Sequence, residues 1–345
     1  MPGAPIRHAY SGEGVRGFQR LAAPLQPEFL AGLYRSMLRI RRIEEEIERR
    51  YRDDRMKTPI HLVIGQEAAA VGCAAAMRDV DLLYTSHRTH GGYLAKGGDL
   101  KAMLCEMHCR VNGCVGSRGG SMHLIDKRVG MAGTSAVVGG AVPIATGAAL
   151  AAHMKQDDRV VAVLLGDATT EEGVTSESLN FAALKRLPVV FFCENNFYSV
   201  QSPLDVRQPR REIRTWAASH GLPAVSVDGM NVLAVHVAMK AAVARARAED
   251  GPTFIEAQVY RFRAHGGAGD DSRTGYRAEA ERQAWETVCP IRMFGEYLTG
   301  AGGLDDLAVS EMEREIEREI AEAFQFALAS PNPVEEDLYR HTYAD

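Results

Sequence analysis

Residues 159–196 read RVVAVLLGDATTEEGVTSESLNFAALKRLPVVFFCENN. Two short apolar runs, RVVAVLLGD (159–167) and LPVVFFCEN (187–195), flank a stretch over 171–186 with helical patterning. Runs that are apolar throughout rather than alternating are the mark of strands covered on both faces, and such strands run parallel because a helix carries the chain back between them. The pattern repeats outward. PAVSVDG (223–229) and PTFIEAQVYRFR (252–263) read as further strands, with a helical stretch over 231–249 between them. At the amino end PEFLAGLYRSMLRIRRIEEEIERRYRDDR (27–55) places apolar residues every three or four positions, an amphipathic helix; AVSEMEREIEREIAEAFQFALAS (308–330) is another near the carboxyl end. The expectation is an α/β protein: a doubly wound parallel sheet with helices on both faces and extra N- and C-terminal helices. Its divisions fall at 1–55 (helical segment), 56–300 (the α/β domain) and 301–345 (helix and tail).

The chain's 345 residues are enough to bury a large core, and its 46% hydrophobic and 25% charged residues are ordinary for a globular protein. A net charge of -5 leaves no footprint for nucleic acid or an anionic membrane, and the longest apolar runs are too short to span a bilayer. No basic, apolar leader opens the sequence, so a cytoplasmic location is the default expectation. Cys105, Cys109 and Cys114 cluster around His108, but their spacing makes no CxxC pair and no second ligand pair follows. They read as small core fillers, not as a zinc site or disulfides. No GxGxxG follows a strand and opens a helix, which disfavours a plain dinucleotide-binding dehydrogenase.

Gly166-Asp167 closes one expected strand and Asn195-Asn196 closes the next, one crossover helix later. Ligands in open α/β sheets gather beyond the carboxyl ends of the strands, so these two ends can meet. A carboxylate and an amide carbonyl are hard oxygen donors suited to magnesium or calcium, and magnesium usually completes its shell with phosphate oxygens and water. The helix starting near Thr170 aims its amino end at the same place, where free N–H groups favour an anion. An aspartate N-cap and a turn asparagine explain the same residues without any ligand; spacing does not decide between the two.

The wording around the pair does. GD followed at this interval by NN resembles the thiamin diphosphate motif, and HLVIGQEAAAVG (61–72), YTSHRTHGGYLAKG (84–97), GSRGGSMHL (116–124), VVGGAVPIATGAALA (137–151), ESLNFAALKRLPVVFFCENNFYSV (177–200), DGMNV (228–232), YRFRAHG (260–266) and CPIRMFGEYL (289–298) are similar, in the same order, to the alpha subunit of the first component of 2-oxo acid dehydrogenases: the pyruvate, branched-chain and acetoin enzymes. The resemblance implies the thiamin diphosphate-binding fold and a site. Asp167, Asn196 and the carbonyl of Tyr198 would bind Mg2+, which grips the diphosphate. Gly166, Ala168 and Thr169 would lie along it. His87 and Arg88 fall on the family's Tyr-Arg pair that contacts the diphosphate, with Arg261 as a second cation, and backbone groups of Ala136 and Val138 would hold the aminopyrimidine. His265 matches a catalytic histidine on the loop over the thiazolium, and His61 one near the substrate entrance.

By the same resemblance the enzyme decarboxylates a 2-oxo acid and passes the acyl group to a lipoyl-bearing acyltransferase. The glutamate that activates the cofactor would arrive from a separate beta subunit in an α2β2 assembly. Acetoin cleavage or a pathway-specific decarboxylation with the same cofactor is the alternative, and a non-catalytic paralogue a more distant one. Three departures stand out. Ala168 takes the place of a third glycine, which requires a negative φ there. His87 replaces a tyrosine, which would make its hydrogen bond pH-sensitive. Gly266 stands where animal pyruvate enzymes carry a regulatory serine, so that phosphorylation is excluded. The glycine-rich segment 264–277, AHGGAGDDSRTGYR, is expected to be loose without cofactor.

Overall fold

The computed structural model describes residues 14–209, 212–271, 274–340 and 343. Eight strands form within them: β1 (Leu82–Thr85), β2 (Met131–Thr134), β3 (Val161–Gly166), β4 (Val189–Asn195), β5 (Tyr198–Ser199), β6 (Ser202–Pro203), β7 (Ala224–Asp228) and β8 (Thr253–Gln258). β5 and β6 make a small antiparallel hairpin; the other six form one sheet in the order β2-β1-β3-β4-β8-β7, with every neighbouring pair parallel. The four strands expected from the sequence are β3, β4, β7 and β8. β1 and β2 were not expected: each has only four residues, and MAGT carries a glycine in the middle, so neither shows an apolar run.

Because successive side chains on a strand point to opposite faces, β3 and β4 feed two separate apolar layers. Val161, Val163 and Leu165 pack with Val189, Phe191 and Cys193 under the helices Ala141–Met154, Gly173–Lys185 and Ile213–Ala218. Ala162 and Leu164 pack with Val190 and Phe192 under the helices Glu67–Ala74 and Val232–Arg247. Helices therefore cover both faces, and the doubly wound reading holds. The close approach of Glu67–Ala74 to Val232–Arg247 depends on Gly72, where an added Cβ would lie 2.7 Å from the carbonyl oxygen of Val232 and 2.8 Å from the Val235 side chain.

The amino-terminal amphipathic helix spans Pro27–Tyr51 and stops before Asp54, which adopts a φ of 53°. Its Ile40, Ile43 and Ile47 join the same apolar layer as Ile316, Ile320 and Phe324 of the carboxyl-terminal helix Asp306–Ala329. Arg39 reaches Glu319 at 2.6 Å and Arg35 reaches Glu315 at 3.2 Å across the two helices. Part-exposed pairs like these contribute about 0–1 kcal/mol, whereas each buried isoleucine contributes about 1.5–3 kcal/mol. The apolar seam holds the helices together. Cys105 is buried and Cys109 and Cys114 half-buried, and all six cysteines are free, as core fillers should be. No helix among the described residues is long and apolar enough to cross a membrane.

Candidate functional site

From β1 the chain crosses to β2 on one side and returns to β3 on the other, so strand order reverses between β1 and β3. A cleft of about 190 Å³ opens there, lined by the turns after β1 (Ser86, His87, Arg88), β2 (Ala136, Val138), β3 (Gly166 to Thr169) and β4 (Glu194, Asn196, Tyr198 to Val200), and by His61, Gln66 and His265. Every residue singled out from the sequence lines it except Arg261. That guanidinium is fully buried, donating to Asp271 at 3.0 Å, to the Tyr276 hydroxyl at 2.6 Å and to the carbonyls of Val200 and Arg263 at 2.8 and 2.9 Å. Both terminal nitrogens are thus bonded within the protein while Nε has no partner, and Arg261 acts on the cleft through its charge on Arg88 and His265 and not by lining it.

Asp167 follows the last residue of β3 and is almost fully buried. Burial raises its carboxyl pKa, opposed by the charge of Arg207, whose guanidinium pairs with both Asp167 and Glu171. Asn196 stands at the end of the neighbouring β4. Its amide nitrogen reaches Gln66 Oε1 at 3.4 Å and its oxygen accepts the Tyr198 N–H at 3.2 Å. The turn around Tyr198 is strained: Phe197 and Val200 have φ of 68° and 53°, a conformation that costs of order 1–3 kcal/mol for such residues and concentrates at functional sites. The amino end expected near Thr170 differs. Asp167–Glu171 is a tight 3-10 turn and the α-helix begins at Gly173, because the Thr170 hydroxyl bonds the Asp167 carbonyl at 2.7 Å and the Thr175 hydroxyl bonds the Thr169 carbonyl at 2.6 Å. Ala168 is not among the residues of positive φ, so its methyl group is accommodated, and an added Cβ at Gly166 would meet nothing within 4 Å.

The opposite wall is built from three separate segments. Gly267 donates to the Ile60 carbonyl at 2.8 Å and Phe262 to that of Ile64 at 2.9 Å, which lays the loop carrying His61 beside the one carrying His265. Gly65, at a φ of 102°, makes this crossing possible; a Cβ there would sit 2.3 Å from the Tyr260 carbonyl oxygen. Arg88 completes the wall by donating to the carbonyls of Leu62 and His265. Burial, followed by the nearby Arg261, pulls the Arg88 guanidinium down to about 10, still a cation at neutral pH.

Burial and the charge of Arg88 push His61 down to about 3, His87 to about 2 and His265 to about 4. All three rings are neutral at pH 7. The expectation that His87 makes a pH-sensitive hydrogen bond is thereby amended: a low-dielectric pocket beside a guanidinium disfavours the imidazolium. Gly266 leaves His61 its room, since a Cβ there would lie 3.2 Å from His61 Nε2.

Several contributors went unnoticed in the sequence. Buried Glu44, on the Pro27–Tyr51 helix, accepts the Val63 N–H at 2.7 Å and bonds His90 Nδ1 at 2.6 Å, while His90 Nε2 meets the Ser121 hydroxyl at 2.7 Å. A carboxylate at an apolar position of an amphipathic helix was the available signal. Glu194 is buried in the cleft wall with a carboxyl pushed up to about 7 by desolvation, against the charge of Arg88. Within the segment expected to be loose, the Asp271 carboxylate takes Arg261 on one oxygen and Arg277, at 2.7 Å, on the other.

A parallel sheet with a cleft at its switch point, oxygen donors at two adjacent strand ends and a buried arginine opposite make an α/β protein whose cleft has the chemistry to suit an anion beside a hard cation. The comparisons with known proteins make this specific. The family model described as "Dehydrogenase E1 component" matches residues 35–336. The acetoin:2,6-dichlorophenolindophenol oxidoreductase alpha subunit of Bacillus subtilis (strain 168) is 35% identical, over 94% of this chain and 96% of its own. Its counterpart from Cupriavidus necator is 36% identical over 93% and 96%. The alpha subunit of the pyruvate dehydrogenase E1 component, somatic form, mitochondrial, of Rattus norvegicus is 34% identical over 90% of this chain and 78% of its own. The chain belongs to the dehydrogenase E1 component family, which implies thiamin diphosphate as cofactor and a second kind of subunit as partner.

Proposed function

We propose that this chain is the alpha subunit of a thiamin diphosphate- and magnesium-dependent 2-oxo acid dehydrogenase, which releases carbon dioxide from a 2-oxo acid and hands the acyl group to a lipoyl arm on an acyltransferase. The observation that carries the proposal is the meeting, in one cleft, of Asp167, Asn196 and Tyr198 at the ends of β3 and β4 with Arg88 and His265 across from them. The donors fit the group: hard oxygens suit magnesium, and a desolvated guanidinium suits a diphosphate. The open face of Gly166 leaves space beside them.

Asp167, Asn196 and the Tyr198 carbonyl would hold the magnesium, Arg207 giving up Asp167 to it. Gly166, Ala168, Thr169, His87 and Arg88 would flank the diphosphate, and backbone groups of Ala136 and Val138 the aminopyrimidine. Arg261 is left out because it does not line the cleft and both its terminal nitrogens are bonded within the protein. Bound there, thiamin diphosphate supplies a nucleophilic carbon and an electron sink for decarboxylation. His265, neutral at rest, can take a proton on a ring nitrogen and hydrogen-bond the substrate; a bound diphosphate would offset Arg88 and make that proton easier to hold. His61 lines the entrance. The activating glutamate would come from the beta subunit in an α2β2 assembly, so the alpha chain alone should be inactive.

Acetoin is the second substrate reading, favoured by two relatives named for it that match this chain over nearly their whole length. One experiment addresses both. Carbon dioxide release from a panel of 2-oxo acids, and acetoin consumption, are measured with an artificial electron acceptor, using the chain with and without its beta partner. Turnover only with the partner, and loss of both turnover and magnesium-dependent cofactor binding in Asp167→Ala, are expected. Unchanged cofactor affinity in a folded Asp167→Ala protein, or full turnover by the isolated chain, would overturn the reading.

A further inference from the structure

Three imidazoles converge on the wall opposite Asp167. The ring centroids of His61 and His87 are 4.8 Å apart, those of His61 and His265 5.0 Å, and those of His87 and His265 5.3 Å. One nitrogen can be chosen from each ring so that all three lie within 4.8 Å of one another. Around a tetrahedral ion with Zn–N bonds of about 2.0–2.1 Å, three nitrogens sit roughly 3.4 Å apart, so modest ring rotations close the set.

Two further observations separate this cluster from chance. Nδ1 of His61 is buried and, like several other polar atoms among the described residues, has no hydrogen-bond partner within the protein, so it is available to a ligand. The three rings also sit on three segments already fastened together, by the Gly267–Ile60 backbone hydrogen bond and by Arg88 on the Leu62 and His265 carbonyls. Little ordering remains to be done on binding. The rings are neutral at pH 7, the state in which imidazole ligates a metal.

We propose that in the cofactor-free chain His61, His87 and His265 form a mononuclear site for a borderline-soft divalent transition ion such as zinc, distinct from the oxygen-lined magnesium position at Asp167 and mutually exclusive with the roles of these rings toward cofactor and substrate. Three imidazoles plus one solvent-derived or anionic ligand suit zinc or cobalt(II), whereas carboxylate and carbonyl suit magnesium, so one cleft offers two cations two positions of different hardness. Arg88 opposes a dication beside it, so the affinity should be weaker than that of a structural zinc site, in the micromolar range, and an anionic fourth ligand should strengthen it.

The test uses the full 345-residue chain without cofactor, titrated with cobalt(II) and followed by its visible d–d bands and by equilibrium dialysis. One equivalent with the intense spectrum of tetrahedral nitrogen coordination is expected, displaced by zinc and not by magnesium. Loss of an outer partner of a metal ligand costs about 10–100-fold in affinity, so loss of a ligand itself, in His87→Tyr or His265→Gln, should cost at least about tenfold. Asp167→Ala should bind cobalt as the parent does, which keeps this result separate from the fate of the magnesium assignment. A weak octahedral spectrum, or unchanged cobalt affinity in a His87→Tyr protein that melts like the parent, would overturn the proposal.

Discussion

Asp271 should be worth far more than its place in a glycine-rich loop suggests. Its carboxylate accepts Arg261 at 3.0 Å, and Arg277 at 2.9 and 2.7 Å, with the Tyr276 hydroxyl as a further donor. The Arg261 and Arg277 side chains are 0% and 1% exposed. In Asp271→Ala two buried guanidiniums would face each other with no anion between them. Removing one partner of a buried ion pair costs about 3–5 kcal/mol. Arg261 keeps the carbonyls of Val200 and Arg263, and Arg277 keeps those of Arg261 and Arg263, which puts the expected loss at the lower end, about 3 kcal/mol. Against a total stability of about 5–15 kcal/mol that is a large share. Urea unfolding measures it, and limited proteolysis should show the variant cut first within 264–277. Burial alone would raise the Asp271 carboxyl, but the Tyr276 hydrogen bond and the charges of Arg277 and Arg261 outweigh it and hold the group below its ordinary value. A depressed folded-state pKa means that the stabilisation is complete above about pH 4 and is lost as pH falls through the folded value. The gap between parent and variant should stay constant from pH 5 to 8, on the order of 3 kcal/mol, and close at lower pH. A gap under about 0.5 kcal/mol at pH 7, the range of an ordinary surface change, would refute the clamp.

Gly72→Val should destabilise by at least about 1–3 kcal/mol by urea unfolding, because the first added carbon already meets the Val232 carbonyl oxygen at 2.7 Å and two helices must part to admit it. Glu44→Ala strands the Val63 N–H and leaves His90 without its carboxylate. Each buried orphan costs about 1–3 kcal/mol, so a fall in melting temperature together with weaker cofactor retention is expected, and Glu44→Gln should recover part of both.

The sequence by itself determined the sheet's centre and the direction of its chemistry. Unbroken apolar runs at 160–165 and 187–193 required strands covered on both faces, the helical pattern between them required parallel pairing, and Asp167 and Asn196 fell at the two strand ends. These are local signals, carried by periodicity and by punctuation such as Gly166. Only the tertiary structure decided the rest. β1 and β2 are four residues each; β1 becomes a strand because β3 offers it an edge, and β2 because β1 does. The resemblance placed Arg261 as a second cation on the diphosphate, yet Asp271, Tyr276 and Val200 take up its terminal nitrogens once the loops fold together. Arg207 reaches Asp167 from 40 residues away, and no spacing rule announces that pairing. His87 shows the difference most plainly: its hydrogen bond was expected to be pH-sensitive, and the ring, like those of His61 and His265, is held neutral by burial and by Arg88. Protonation is set by solvent exclusion and by charges brought close in space, and neither is written along the chain.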